Sequence, residues 1–362
     1  MRASPKLQRM CARAGYILPL VLLALRHHVT AFPVEPYAET LDTDLWDPEC
    51  TAAQRRYIEK ELTEAQTMAN TAVSRLTELR DVLVDKRQPR DWGTRSKSVT
   101  EALMTWNSFF GIVRLNDRNP PSGSFVTIRQ AIEDIKYTRN NYIRIKKALV
   151  AKDDFKMRIN CQDDFLINPE VKEDQDNEGN TVRFREFQDS RSEGSRGTIT
   201  APLANSLCFE KATLSGWTFY NDVTEVQEMM LCPRALERWG TTTLTSTPET
   251  KASLLGQRLI GLKSKAGATI ILHELTHSRA LHGGFKTVDR SYSYEGTTRM
   301  AYGTLGIRAL ARQNLRVTRT NADTLALFAL AMYYDQRVWD TGTCTDQDKS
   351  QTFARITFDY DY

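Results

Sequence analysis

Histidine is scarce in this chain: five in 362 residues, two of them near the N-terminus. No apolar run approaches the roughly 20 residues of a membrane-spanning helix, and the stretch from Tyr16 to Leu25 is about half that length. No Asn-x-Ser/Thr sequon occurs, so N-glycosylation is not expected. No Cys-x-x-Cys pair occurs either, and the six cysteines are too scattered for a thiolate metal cluster. There is no internal repeat, which argues against a solenoid or propeller.

A real excess of charge is also lacking. The 49 basic and 45 acidic residues give a formal net charge of +4. Residues 1–31, however, hold five basic residues and no acidic one, so the remainder carries 44 against 45, a net charge of −1. With no basic surplus, neither nucleic acid nor a membrane surface is an expected partner. The opening segment itself reads as a secretory signal. Arg2, Lys6, Arg9 and Arg13 precede the apolar core, and Val29-Thr30-Ala31 supplies small residues before a cleavage point. The mature protein is therefore expected to be secreted and monomeric. In an oxidising compartment its five remaining cysteines, Cys50, Cys161, Cys208, Cys232 and Cys344, permit two disulfides and one leftover thiol.

What is present is an α+β order of elements. Residues 32–49 read as an extended lead-in, 50–345 as one domain and 346–362 as a tail. Within the domain, residues 50–152 show apolar residues at helical steps, in stretches from Thr51 to about Lys86, Thr100 to Phe110 and Phe125 to Lys152, and loops are expected at 87–95, 116–123 and 189–197. Residues 153–232 hold short β-like runs such as Met157-Arg158-Ile159 and Trp217-Thr218-Phe219-Tyr220, which suggest hairpins. Residues 248–338 return to helical character. Helix, then strand, then helix again is the order of an α+β fold, mainly helical with one small β-rich region.

The chemistry centres on His273-Glu274-Leu275-Thr276-His277. Histidines four residues apart share one helix face and can grip a single zinc ion, while Glu274 faces the metal-bound water as a proton acceptor. The preceding Ala266 to Leu272 reads as the buried approach of an active-site helix. Catalytic zinc takes a third protein ligand. A metzincin continuation would place glycine and histidine where Ala280 and Gly283 stand, and His282 is one residue early, which suits an exposed or supporting histidine. Glu295 would serve in a thermolysin-like arrangement, and Asp289 is the third option.

The residues after the motif resemble the deuterolysin family, the aspzincins of secreted fungal metallopeptidases, whose third ligand lies in Gly-Thr-x-Asp-x-x-Tyr-Gly. Here Thr287-Val288-Asp289-Arg290-Ser291-Tyr292 fits, with Lys286 and Ser293 in place of the two glycines. Asn321-Ala322-Asp323, followed by an apolar run, is similar to a later family segment, and Trp106 to Gly111 to an upstream one. A second stretch, Gly296 to Gly303, fits the same frame but carries Arg299 where the aspartate belongs, and arginine cannot ligate zinc. The economical reading is a motif split by an insertion, with Asp289 as ligand and Tyr302-Gly303 as its far end.

The resemblance implies a zinc endopeptidase holding one Zn2+ per chain through His273, His277 and Asp289. Glu274 would be its general base, and Tyr302 or Tyr292 its oxyanion donor. Asp323 would lie near the active site, where it could favour a basic substrate side chain. Protein or peptide substrates are the implied partners. The alternative is a non-catalytic secreted binding protein on a peptidase scaffold, for which Arg299 speaks.

Overall fold

The computed structural model describes residues 46–85, 96–114, 125–150, 157–175, 181–191, 198–202, 207–221, 224–244, 254–334 and 337–345. The leader, most of the lead-in, the tail, the loops expected at 87–95 and 116–123, and residues 192–197 of the loop expected at 189–197 lie outside those residues, while Asp189 ends a strand.

The architecture is α+β. Helix α1 (Ala52–Val84) begins at a capping box: Thr51 Oγ1 accepts from the Gln54 amide while Gln54 Oε1 accepts from the Thr51 amide. Its buried stripe, from Tyr57 through Leu62, Met68 and Leu76 to Leu83, repeats at helical spacing. Helices α2 (Ser96–Phe110) and α3 (Ile128–Val150) pack against that stripe. Between them, β1 (Ile112–Arg114) and β2 (Phe125–Thr127) form a short parallel pair. The residues before Ile128 are therefore strand, not the helix expected from Phe125 onward.

The β-rich region comprises two three-stranded sheets. In one, β8 (Val226–Leu231) lies between β3 (Met157–Asn160), parallel to it, and β7 (Gly216–Asn221), antiparallel to it. In the other, β4 (Leu166–Gln175), β5 (Thr181–Asp189) and β6 (Thr198–Pro202) run antiparallel. Cys50–Cys161 ties the start of α1 to the end of β3, and Cys208–Cys232 ties the loop before β7 to the end of β8. Cys344 is buried and belongs to neither disulfide. No helix among the described residues is long and apolar enough to cross a membrane.

After the short helix α4 (Pro233–Trp239), the chain forms α5 (Leu259–Lys263), α6 (Ala268–His277), α7 (Arg279–His282) and one 3-10 turn (Gly283–Phe285). A hairpin of β9 (Ser291–Tyr294) and β10 (Thr297–Met300) follows, then α8 (Gly303–Gln313), α9 (Leu315–Thr318) and α10 (Ala322–Tyr333). From Ala322 to Met332 every residue of α10 is buried, as suits a helix that is apolar on all sides. It packs on α1, α2 and α6, with Phe328 edge-on to the stacked Trp106 and Phe110. Gly111 ends that aromatic segment at φ +108°, and a Cβ there would collide with Leu315.

Candidate metal centre

Helix α6 runs through the core between α1, α10 and β7. Its first amides are held from α1: Gly267 N–H donates to Tyr57 Oη at 3.2 Å, and Ala268 N–H donates to Glu61. Ala268, Ile271, Leu272 and Leu275 anchor it in apolar surroundings. One face then presents His273 and His277, with Glu274 buried beside them. Ser278 is extended at ψ 116°, which ends the helix immediately after the second histidine.

The chain returns at Thr287. Its N–H donates to Thr276 O at 2.9 Å, and the two threonine hydroxyls meet at 2.6 Å. Val288 bonds in turn to Thr320 O and Ala322 N, so this segment lies between the end of α6 and the start of α10. Asp289 is thereby brought to the histidines. Its Oδ1 is 3.3 Å from His273 Nε2 and 3.5 Å from His277 Nε2, and the two Nε2 atoms are 3.2 Å apart. These three residues form the one His/Cys/Asp/Glu group among the described residues with metal-ligand spacing.

The donor set fits zinc. Bonds of about 2.0–2.1 Å at tetrahedral angles separate ligand atoms by roughly 3.3–3.4 Å, which is the size of this triangle. The opposite ring nitrogens also face acceptors. His277 Nδ1 is 3.0 Å from Thr287 O, and His273 Nδ1 is 3.3 Å from Asp323 Oδ1. Protons on Nδ1 leave both Nε2 lone pairs converging on one point. Asp289 Oδ1 is buried without a hydrogen bond.

Charge argues the same way. Burial alone would lower the pKa of His273, but Asp289 and Asp323, with Glu274 nearby, push it up to about 10. Burial raises Asp289, yet the two histidines overcome it and hold its carboxyl well below the usual range. Burial also raises the Glu274 carboxyl, against the pull of both histidines. The carboxylates thus favour positive charge at the histidines.

Asp323 was expected to face a substrate side chain. It is instead fully buried behind His273, with Lys263 and His273 Nδ1 at Oδ1 and the Gly303 N–H 2.6 Å from Oδ2. Both oxygens are occupied, so no face is left for a ligand. Burial opposes its ionisation, but Lys263 and His273 outweigh it and keep the carboxylate charged.

Glu295 sits at φ 49° beside Gly296 at φ 73°, in the exposed two-residue turn of the hairpin, away from the ligand triangle. His282 is not exposed: it is buried, its Nε2 lies 3.2 Å from Leu275 O, and burial and Arg144 lower its pKa to about 4. Tyr302 Oη donates to Asp289 Oδ2 at 2.8 Å, and its ring centroid lies 6.2 Å from that of His273. Tyr292 sits on β9 opposite Arg299.

The hairpin closes at its base through Ala301 N–H to Arg290 O, 2.7 Å. Asn321 grips both sides of that base: its Oδ1 accepts from Arg290 N–H and its Nδ2 donates to Ala301 O. Asp289-Arg290 and Ala301-Tyr302-Gly303 are thus adjacent in space. Sequence reading missed Asn321, Lys263 and the Thr287 carbonyl as parts of this centre. The first belonged to a motif already noted, and the other two carry no mark of their own. No protein-family model matches the chain, and no match was found among curated proteins.

Proposed function

We propose that this chain is a secreted zinc endopeptidase of the deuterolysin-like, zincin-fold kind. The observation that carries the reading is the triangle of His273 Nε2, His277 Nε2 and Asp289 Oδ1, 3.2–3.5 Å on each side, with an acceptor facing each Nδ1. A zinc ion held there supplies a Lewis acid for a peptide carbonyl and makes a water molecule acidic enough to attack near neutral pH.

The chain's own groups do the rest. Glu274, one residue after the first ligand, takes the proton of the attacking water and returns it to the leaving amine. Tyr302 is the oxyanion donor in preference to Tyr292, because its hydroxyl already reaches Asp289 and half its surface faces solvent at the site. Asp323 orients His273 and, through Gly303 N–H, the peptide that carries Tyr302, which makes it a positioning residue. The reading as a binding protein drew on Arg299 in a ligand position. With Arg299 out on the hairpin and Asp289 beside the histidines, that argument falls away.

The test is zinc content together with cleavage of a casein-type substrate before and after chelation. One zinc per chain, with activity lost on chelation and restored by zinc, is the expected result. Zinc binding without any cleavage would leave a metal-binding module and remove the peptidase.

A further inference from the structure

The hairpin Ser291–Met300 buries almost none of its side chains: Tyr292 is half-buried and the others are exposed. A two-stranded ribbon with both faces in water is marginal by itself. This one is held by its turn, by Asn321 at its base and by Gln313. Gln313 Oε1 accepts from the Ser293 N–H at 3.0 Å, and its amide donates to the Ser293 carbonyl, which closes the β9 edge. Among the described residues nothing bonds the β10 edge in this way. The bond between Ala301 and Arg290 sets the alternation of the ladder, so Thr298 N–H and C=O point outward from it.

One face of the ribbon carries Tyr292, Tyr294 and Arg299, since Tyr292 lies opposite Arg299 and Tyr294 is two residues along the same strand. The Arg299 guanidinium sits 4.8 Å from the Tyr294 ring centroid. Among the described residues Arg299 has no carboxylate partner, and the single acid of the hairpin, Glu295, occupies the turn. Stacking on a ring leaves the N–H edges of a guanidinium open and already ordered for a carboxylate. Arg299 lies three residues before Tyr302, about 10 Å along an extended chain, which is about three residues of an extended peptide.

We propose that Arg299 is a specificity-determining residue that takes an acidic side chain of an extended peptide substrate, docked along β10 about three residues from the bond to be cut. The inference rests on the peptidase reading. A peptide strand beside β10 bonds to Thr298 through its main chain, and its residue next to Arg299 projects on the same face, within reach of the guanidinium. The arginine that breaks the ligand motif thereby becomes the substrate-facing part of the insertion.

The experiment compares one cleavable peptide carrying Glu, Gln or Lys, moved in turn through the positions about two to four residues from the scissile bond. The zinc-loaded protein should cut the Glu peptide about three- to tenfold faster in kcat/KM than the Gln peptide at one of these positions, with the difference shrinking as salt rises. Arg299→Glu should reverse the order in favour of Lys, and Arg299→Lys should retain part of the original preference. A gain on the Lys peptide cannot come from misfolding. Equal rates on Glu, Gln and Lys peptides, or the same preference in wild type and Arg299→Glu, would overturn the inference while leaving the peptidase intact. Failure of the zinc-loaded wild type to cut any peptide would remove both.

Discussion

The candidate metal centre around His273 and the ten-residue hairpin that follows it are neighbours in sequence and share little else. Around His273 the polar side chains are buried and linked to one another: Asp323 lies against His273, Lys263 and Gly303, Thr287 serves His277 and Thr276, and Asn321 clasps two strands. Around Arg299, side chains face water, and the contacts are a ring stack and one glutamine clamp. Asn321 joins the two regions, since it bonds Arg290 and Ala301 on either side of the ten-residue hairpin and so keeps Asp289 and Tyr302 together.

Predictions follow this contrast in descending size. Glu274→Gln removes the proton carrier and leaves all three ligands, so zinc content should hold while kcat falls by about 10²–10⁴. Retained turnover at full zinc occupancy would deny Glu274 its role. Tyr302→Phe should lower kcat by about 10²–10³ with KM and zinc nearly unchanged, while Tyr292→Phe, out on the ribbon, should be mild. Kinetics on both variants at matched zinc decide it, and a large loss in Tyr292→Phe alone would transfer the role.

The support of His273 comes next. Asp323→Ala should weaken zinc binding by about 10- to 100-fold in a chelator competition, and Lys263→Met, which leaves Asp323 without its cation, by less. Unchanged affinity in both would mean that the ring needs no help from behind. The smallest effect on activity belongs to the ribbon. Joining Arg290 directly to Ala301 should keep zinc binding and turnover of short uncharged peptides within about twofold, with a Tm shift of a few degrees, because little apolar surface is lost. Loss of zinc in that variant would show that the ribbon is part of the centre.

A pH experiment tests how α6 is held. Burial and then Glu64 raise the Glu61 carboxyl from 4.5 to about 8. The folded protein therefore keeps this proton between those values while the unfolded chain releases it. The stability linked to it is present in full below pH 4.5 and is lost as pH climbs through about 8. Relative to Glu61→Gln, the wild type should lose ground in thermal melts from acid to mildly alkaline pH. Parallel curves for the two proteins would contradict this.

Much of the interior was legible because its signals are local. The spacing of His273 and His277 is a property of one helix, and the buried run before them marks that helix as internal. Asp289 could be named because a short motif surrounds it. Asp323 could be named but not understood, since its role depends on Lys263 and Gly303 reaching it from α5 and the start of α8. Lys263 had no sequence signal at all: a lysine near a helix end reads as solvated. Outside the centre, β4 escaped notice because Pro169 to Gln175 is mostly charged and its register carries a bulge. The hairpin was read as a second copy of the ligand motif, although Ser-Tyr-Ser-Tyr, Glu-Gly and Thr-Thr-Arg-Met have the pattern of two strands and a tight turn. Glycines at 296 and 303 suggested the motif. The physical reasons for them are a positive-φ turn and the left-handed step, φ 66°, that leads into α8.

The most direct test of the account is the zinc content and affinity of three proteins: wild type, Asp289→Ala and Glu295→Ala. The account predicts one zinc per chain in the wild type, unchanged binding in Glu295→Ala, and a loss of at least about 100-fold in affinity for Asp289→Ala, in which one of the three ligands is gone. A wild type that takes up no zinc, or an Asp289→Ala protein that binds it as tightly as wild type, would contradict the assignment of His273, His277 and Asp289 as the metal centre.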